Sequence, residues 1–563
     1  MPRKTSPKPL SARDIEPEGG PRSWMLPRLE AAHTAMRRRE DAATDEAARA
    51  SSELRFVKAR SKAARPSKAR RAKAAPLVSR LQPGRADDVL AEPSHDFWRT
   101  RFQEYYVRKA KAAGAVAGAP GLAPAMPAVP GANNWIPLGP AVASRGQANG
   151  RPAIGGRTAR IAIAPGGSRM YAATANGGVF RSDNGGDSWY STMDGFDTNP
   201  ASFASASLCC GAIAISASDP DRVYVGTGEG DTDSLFTLRL TNALPSYRGI
   251  GPIRSDDGGG NWVVEASAPD LAGFDFFALA VDPANQENVV AATNNGLYQR
   301  SVVGGVPTWQ RRRTGAHTSV VVSAAGGVTT FVAAARGGGV FRSTTGNTWT
   351  ALGTGFPTAN VGRIALGLQR DNPNVLYALV ANASGGLLGV YRLDGMAGSW
   401  TSISGTPALL PGGQGDYDLC IAVDPLNANL VYLGGDRTNT SPYPGSIHRC
   451  VVTASGSSYA MTTTAIGAAA HADVHELTFV PGQPSRLWTG TDGGCFLNRD
   501  PAGTGQFESR NLGLSSLCAN YLGMSASEPA VMYCGLQDNG TVRYIGEELW
   551  RDVLFGDGGY CVV

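Results

Sequence analysis

The residues best suited to chemistry are concentrated late in the chain, at His471-Ala-Asp-Val-His475. Two of only six histidines share this pentapeptide, and a carboxylate stands between them. It directly precedes Leu477-Thr-Phe-Val480, so a strand is expected here. The two-residue period of a strand would then place His471, Asp473 and His475 on one face. Two imidazoles and one carboxylate on one face suit a divalent metal such as zinc. They also suit general acid–base work, or a polar ligand. More acids follow at comparable points: Asp492 in Thr491-Asp-Gly-Gly494, Asp538 in Gln537-Asp-Asn-Gly540, and Asp557 in Asp557-Gly-Gly559. Glu229 opens an earlier acidic set, Gly228-Glu-Gly-Asp-Thr-Asp233, which begins an insertion reaching about Gly251. An insertion of this kind is often a binding loop. The ligand-binding candidates are therefore His471, Asp473, His475, Asp492, Gln537, Asp538 and Glu229. The catalytic candidates are Asp473, Asp492, Asp538 and Asp557, and the metal candidates are His471, Asp473 and His475.

These residues must be held by repeated strands. An apolar alternating strand begins near each of Arg160, Ala212, Ala278, Val320, Ile364, Ile421, Glu476 and Tyr521. A turn and a second strand rich in small residues follow each one, as in Met170-Tyr-Ala-Ala-Thr174 and Val289-Val-Ala-Ala-Thr293. Starts 42 to 66 residues apart leave room for four short strands per unit. Such sheets stack face to face and close radially, which makes the expected fold an all-β propeller of about 7–8 four-stranded blades. Strand ends at one rim of its channel are where a site would form. Gly556–Val563 resembles the inner strand of a ninth unit. Either the segment Trp135-Ile-Pro-Leu138 completes that blade and closes the ring, or the chain is truncated at its C-terminus.

A tryptophan turn punctuates the repeat. Ser182, Asn184, Gly186 and Trp189 form one copy, and Ser255, Asp257, Gly259 and Trp262 another. A weaker copy runs from Ser343 to Trp349. The Asp or Asn side chain accepts backbone N–H bonds across the turn, Gly takes the positive φ, and Trp packs between blades. Their expected role is structural.

Composition agrees. Gly supplies 71 of 563 residues, well above the usual ~7%, and charged residues are 18%. The net charge of +5 is uneven: residues 1–120 carry 26 Lys/Arg against 14 Asp/Glu. Residues 1–111 read as a basic arm, partly helical and partly disordered. A helix is expected near Phe97, with Trp98, Phe102, Tyr105 and Tyr106 in one stripe. The run Arg55–Arg80 has ten Lys/Arg and no acid. It fits a solvated tail, or a contact with nucleic acid or an anionic surface. Residues 112–132 are an Ala/Gly/Pro linker, and the propeller occupies 133–563. Eight cysteines without a Cys-x-x-Cys pair make no disulfide framework. No apolar run reaches the ~18 residues of a membrane span, and no standard signal peptide is visible.

The tryptophan turns match the Asp-box pattern of the BNR-repeat propellers. That family includes sialidases, sortilin-type and xyloglucanase-type propellers and the photosystem II assembly factor. Residues ~134–563 resemble its bacterial "glycosyl hydrolase-like" branch. The resemblance is carried by Asn134-Trp-Ile-Pro-Leu-Gly-Pro140, Asn176-Gly-Gly-Val-Phe180, Tyr224-Val-Gly-Thr-Gly-Glu229, His471–His475, Thr491–Gly494 and Gly535-Leu-Gln-Asp-Asn-Gly-Thr541. It implies a secreted or periplasmic propeller that binds a glycan or protein ligand at its channel rim, and a monomer is expected. It also implies two alternatives, a glycoside hydrolase using rim carboxylates and an assembly factor. Xyloglucanase-type members carry a catalytic Asp in a Thr-Asp-x-Gly-Gly of the first blade. The corresponding stretch here, Thr174-Ala-Asn-Gly-Gly178, has no carboxylate.

Overall fold

The computed structural model describes residues 138–194, 208–231, 248–265, 271–369, 372–528, 530–546 and 548–563. The basic arm, the linker, the helix expected near Phe97, the segment 135–137 and the insertion 232–247 lie outside the described residues.

The chain is a β-propeller. Among the described residues, seven four-stranded antiparallel blades surround a central channel. Their inner strands are Thr158–Ile163, Cys210–Ile215, Phe276–Asp282, His317–Ser323, Val361–Gln369, Cys420–Val423 and Val474–Val480. Each packs on the next, and the seventh packs back on the first. All seven coincide with strand starts expected from the sequence. Blades 5 and 6 are further joined where Ile403–Ser404 pairs in parallel with Tyr459–Ala460.

The blades hold together because their middle strands are apolar on both faces. Met170–Thr174 and Val223–Gly228 are buried at every position. Small residues there let neighbouring sheets approach closely. At Gly226 a Cβ would lie 2.3 Å from the ring of Phe276 in the next blade, so only Gly fits. Ring closure rests on one apolar cluster between blades 1 and 7, which includes Ile161, Phe180, Trp189, Trp488 and Leu497. The rings of Trp189 and Trp488 meet edge to face at 6.4 Å.

The tryptophan turns are local locks. The Ser182 hydroxyl donates to Asn184 Oδ1 at 2.8 Å and accepts from the Gly186 N–H at 2.9 Å. Asn184 Oδ1 also accepts from the Ser188 N–H. Trp189 Nε1 then donates across the blade boundary to the Arg510 carbonyl at 2.7 Å. The turn at Ser255, Asp257 and Gly259 repeats the pattern, and Trp262 Nε1 donates to the Thr192 carbonyl.

The eighth unit is not part of the ring. Its four strands, from Ala519–Met524 to Leu549–Leu554, form a separate sheet beside blade 7. Val142–Ala143 joins that sheet as a fifth, parallel strand on Leu549–Trp550. The N-terminal strand therefore extends the eighth sheet rather than closing the ring, because blade 1 already packs on blade 7. Residues 555–563 form no strand, contrary to the expected ninth unit, although the Gly558 N–H donates to the Leu536 carbonyl.

Candidate functional site

The seventh inner strand begins at Val474, so His471 and Asp473 precede it. Asp473 has φ 59°, a left-handed turn conformation. That turn breaks the two-residue period, and the three side chains do not line one strand face. His471 is buried, with Nδ1 3.1 Å from the Ala472 carbonyl. Gly493 lies so close to its ring that a Cβ would come within 2.4 Å. His471, Asp473 and His475 do not converge as metal ligands. Among the described residues, no group of three or more His, Cys, Asp or Glu side chains is arranged to hold a metal ion.

His475 instead anchors a buried charge network across one end of the channel. Its Nε2 is 2.7 Å from Asp492 Oδ1, and its Nδ1 is 3.3 Å from Asp231 Oδ2. Burial opposes a charge on the ring, but Asp231 and Asp492 outweigh it and raise the pKa to about 9. At neutral pH the imidazolium thus hydrogen-bonds Asp492 and sits in ionic contact with Asp231. Asp492 Oδ2 also accepts from the Tyr417 hydroxyl at 2.8 Å. Tyr417 accepts from Arg157 Nη1 at 2.7 Å, and Arg157 forks onto Glu229 at 2.9 and 3.0 Å. Asp231 is held by Arg160 at 2.8 and 3.0 Å and by Arg363 Nη2 at 2.8 Å. Burial works against its charge, yet the two guanidiniums keep its carboxyl far below the usual range.

Beside this plug lies a rim of carboxyls whose pKa values are raised. Gln414 Nε2 donates to Asp418 Oδ2 and to Asp473 Oδ1, both at 3.1 Å. Burial, with Asp473 next, pushes the Asp418 carboxyl well above the usual range. Burial, with Asp492 next, pushes Asp473 up to about 7. Asp538 reaches in from the eighth sheet beside Asp492, and burial with that neighbour pushes it up to about 9. Two carboxyls this close keep one proton between them. Asn539 Nδ2 donates to the Asp492 carbonyl and ties the same hairpin to blade 7. Asp473, Gln537 and Asp538 are half-buried, whereas Asp492 is enclosed.

Of the expected site residues, Asp473, His475, Asp492, Asp538 and Glu229 come together. Gln537 flanks them, and His471 only packs nearby. Asp557 is exposed and touches the group by accepting from the Asp538 N–H at 3.0 Å. Glu229 does not stand in an open loop: it is fully buried under Arg157. Sequence reasoning missed Arg157, Arg160, Arg363, Gln414, Tyr417 and Asp418. No sequence signal marked them; the fold shows how they are aimed. The pairing register slips at the start of the inner strands of blades 3, 4, 5 and 7, around Phe277, Thr318, Arg363 and His475. A bulge of this kind re-aims a side chain at a rim.

No protein-family model matches the chain, and no curated protein matches it. Solved structures do. An ancestral GH74 enzyme aligns with a TM-score of 0.53 and 16% identity, over 74% of this chain and 55% of that one. The GH74 enzyme of Niastella koreensis aligns at 0.47 and 16%, over 73% and 68%. YCF48 from Cyanidioschyzon merolae aligns at 0.37 and 11%, over 58% and 92%. The chain spans about half the length of the ancestral GH74 enzyme, at 55%. At such identity the likeness is one of fold.

Proposed function

We propose that this propeller binds a glycan at its channel rim, where the eighth sheet meets the Ser441–Tyr443 loop of blade 6. The observation that carries the reading is the half-buried pair Asp473 and Asp538: at pH 7 Asp538 is protonated and Asp473, raised to about 7, is about half protonated. With Gln414 and Gln537 they offer uncharged donors and acceptors, which suit hydroxyl groups. A cavity of about 290 Å³ opens beside Asp538, lined also by Arg151, Tyr443 and Phe555. Tyr443 and Phe555 are exposed, and Arg151 lies 3.9 Å over the Phe555 ring. Flat rings beside a few polar groups are a common way to seat a small ligand.

Glycoside hydrolysis is the second reading, supported by the shared fold of the ancestral GH74 enzyme. It asks for two carboxyls about 5–9.5 Å apart, one of them ionised and free to act. Asp492 is the ionised member, but His475 and Tyr417 occupy its oxygens. That geometry favours binding without cleavage. A peptide ligand or an assembly role is a third reading, and the Asp-box turns serve all three as structure.

A glycan array with a parallel assay for released reducing ends tests the proposal. Binding without release is expected, with Asp538→Ala and Tyr443→Ala each weakening it roughly tenfold, the loss of about one good contact. A silent array, or binding unchanged in both variants, sinks it. Released sugar would instead support the hydrolase.

A further inference from the structure

The central channel holds a cavity of about 420 Å³, distinct from the rim. It runs from Arg363 and His475 at the starts of the inner strands to Pro425 and Pro481 past their ends. Six residues of strand make that roughly 20 Å. Its walls include Ile163, Leu279, Val321, Leu368 and Phe479, which the fold leaves only half-buried. Covering such surface is favourable by about 25 cal/mol per Å². Between the polar groups of the wall, these side chains offer an alkyl chain an apolar track along the channel.

The closed end of the cavity is polar and incompletely satisfied. Arg363 is 2% exposed and lines the cavity. Its Nη1 donates to the Asp416 and Tyr417 carbonyls and its Nη2 contacts Asp231. Its buried Nε–H has no hydrogen-bond partner. An unpaired buried donor is costly. Glu476 lines the same end and is 3.6 Å from Arg160 Nε. The groups facing it are Arg160, Asp231, Arg363, His475 and Cys420.

We propose that the channel binds an amphipathic carboxylate, its acyl chain against the apolar walls and its head group between Arg363 and Glu476. The head group accepts from the free Arg363 Nε–H, and from Glu476 when that carboxyl is protonated. Burial pushes Glu476 up to about 7, so it is protonated below neutral pH. An alkyl cation would find a guanidinium and an imidazolium at the same place, and an alcohol would lack the charge.

Isothermal titration calorimetry of the full chain with decanoate tests this, with decyltrimethylammonium and decanol alongside. Decanoate is expected to bind at one site, at least tenfold more tightly than either control. Its affinity should fall roughly tenfold from pH 6 to pH 8, as the protonated fraction of Glu476 falls by about that factor. Leu279→Trp fills the channel and should abolish binding. Arg363→Lys keeps the charge but removes the Nε–H, and should weaken it roughly tenfold. No binding of decanoate, equal binding of the cation, or full binding by folded Leu279→Trp would each overturn the proposal. The last result would mean that the alkyl chain sits on an outer surface.

Discussion

Replacing His475 by Gln isolates what the buried imidazolium contributes. The ring titrates near 6.5 when unfolded and at about 9 in the fold. A raised pKa means that protonation favours the folded state. The contribution is complete below pH 6.5 and is lost as pH rises through 9. Each unit is worth 1.36 kcal/mol, so the full contribution is about 3 kcal/mol. Removing one partner of a buried ionic group costs about 3–5 kcal/mol, because the remaining charges stay buried. Asp231 keeps Arg160 and Arg363 in the variant, and Asp492 keeps Tyr417, which places the loss at the lower end. The assay is denaturant unfolding of wild type and His475→Gln at pH 6 and pH 9.5. Most other titrations cancel in the difference between the two proteins. At pH 6 the variant should be about 3 kcal/mol less stable, and at pH 9.5 the gap should be largely closed. A gap of constant size across that range would refute a charged His475. A gap that widened with pH would reverse the assignment of which state holds the proton.

Two further predictions concern the frame. Trp189→Ala should cost about 3–5 kcal/mol, because the indole is fully enclosed between blades 1 and 7 and donates to Arg510; a thermal midpoint within a degree of wild type would contradict ring closure at that seam. Arg157→Met should be destabilising by about 3–5 kcal/mol, since it strands Glu229 as a buried charge, while the double change with Glu229→Gln should recover much of the loss in a double-mutant cycle. Additive single effects would show that the fork carries no coupling.

Much of the frame was legible in the residues. Alternation of apolar residues, small-residue second strands and the tryptophan turns each depend on neighbours a few positions away, so they survive in a linear reading. All seven inner strands of the ring lie where that pattern puts them. The strand reading of His471–His475 failed for a local reason, a left-handed Asp473 that holds the start of the strand back to Val474. Glu229 looked like part of an open loop because its partner, Arg157, is 72 residues away. Nothing near either residue in sequence announces the pair.

The sequence by itself determined the repeat, the all-β propeller and the concentration of acids at blade ends. Tertiary structure alone decided that seven units close while the eighth stands aside, since closure depends on which sheet faces cover Trp189 and Trp488. It also decided the charge states. Asp492 and Asp538 are alike in sequence, each followed by a small turn. One is held ionised by His475 and Arg157 and the other is driven neutral beside it, because the energy of a buried carboxyl depends on charges that only folding brings within reach.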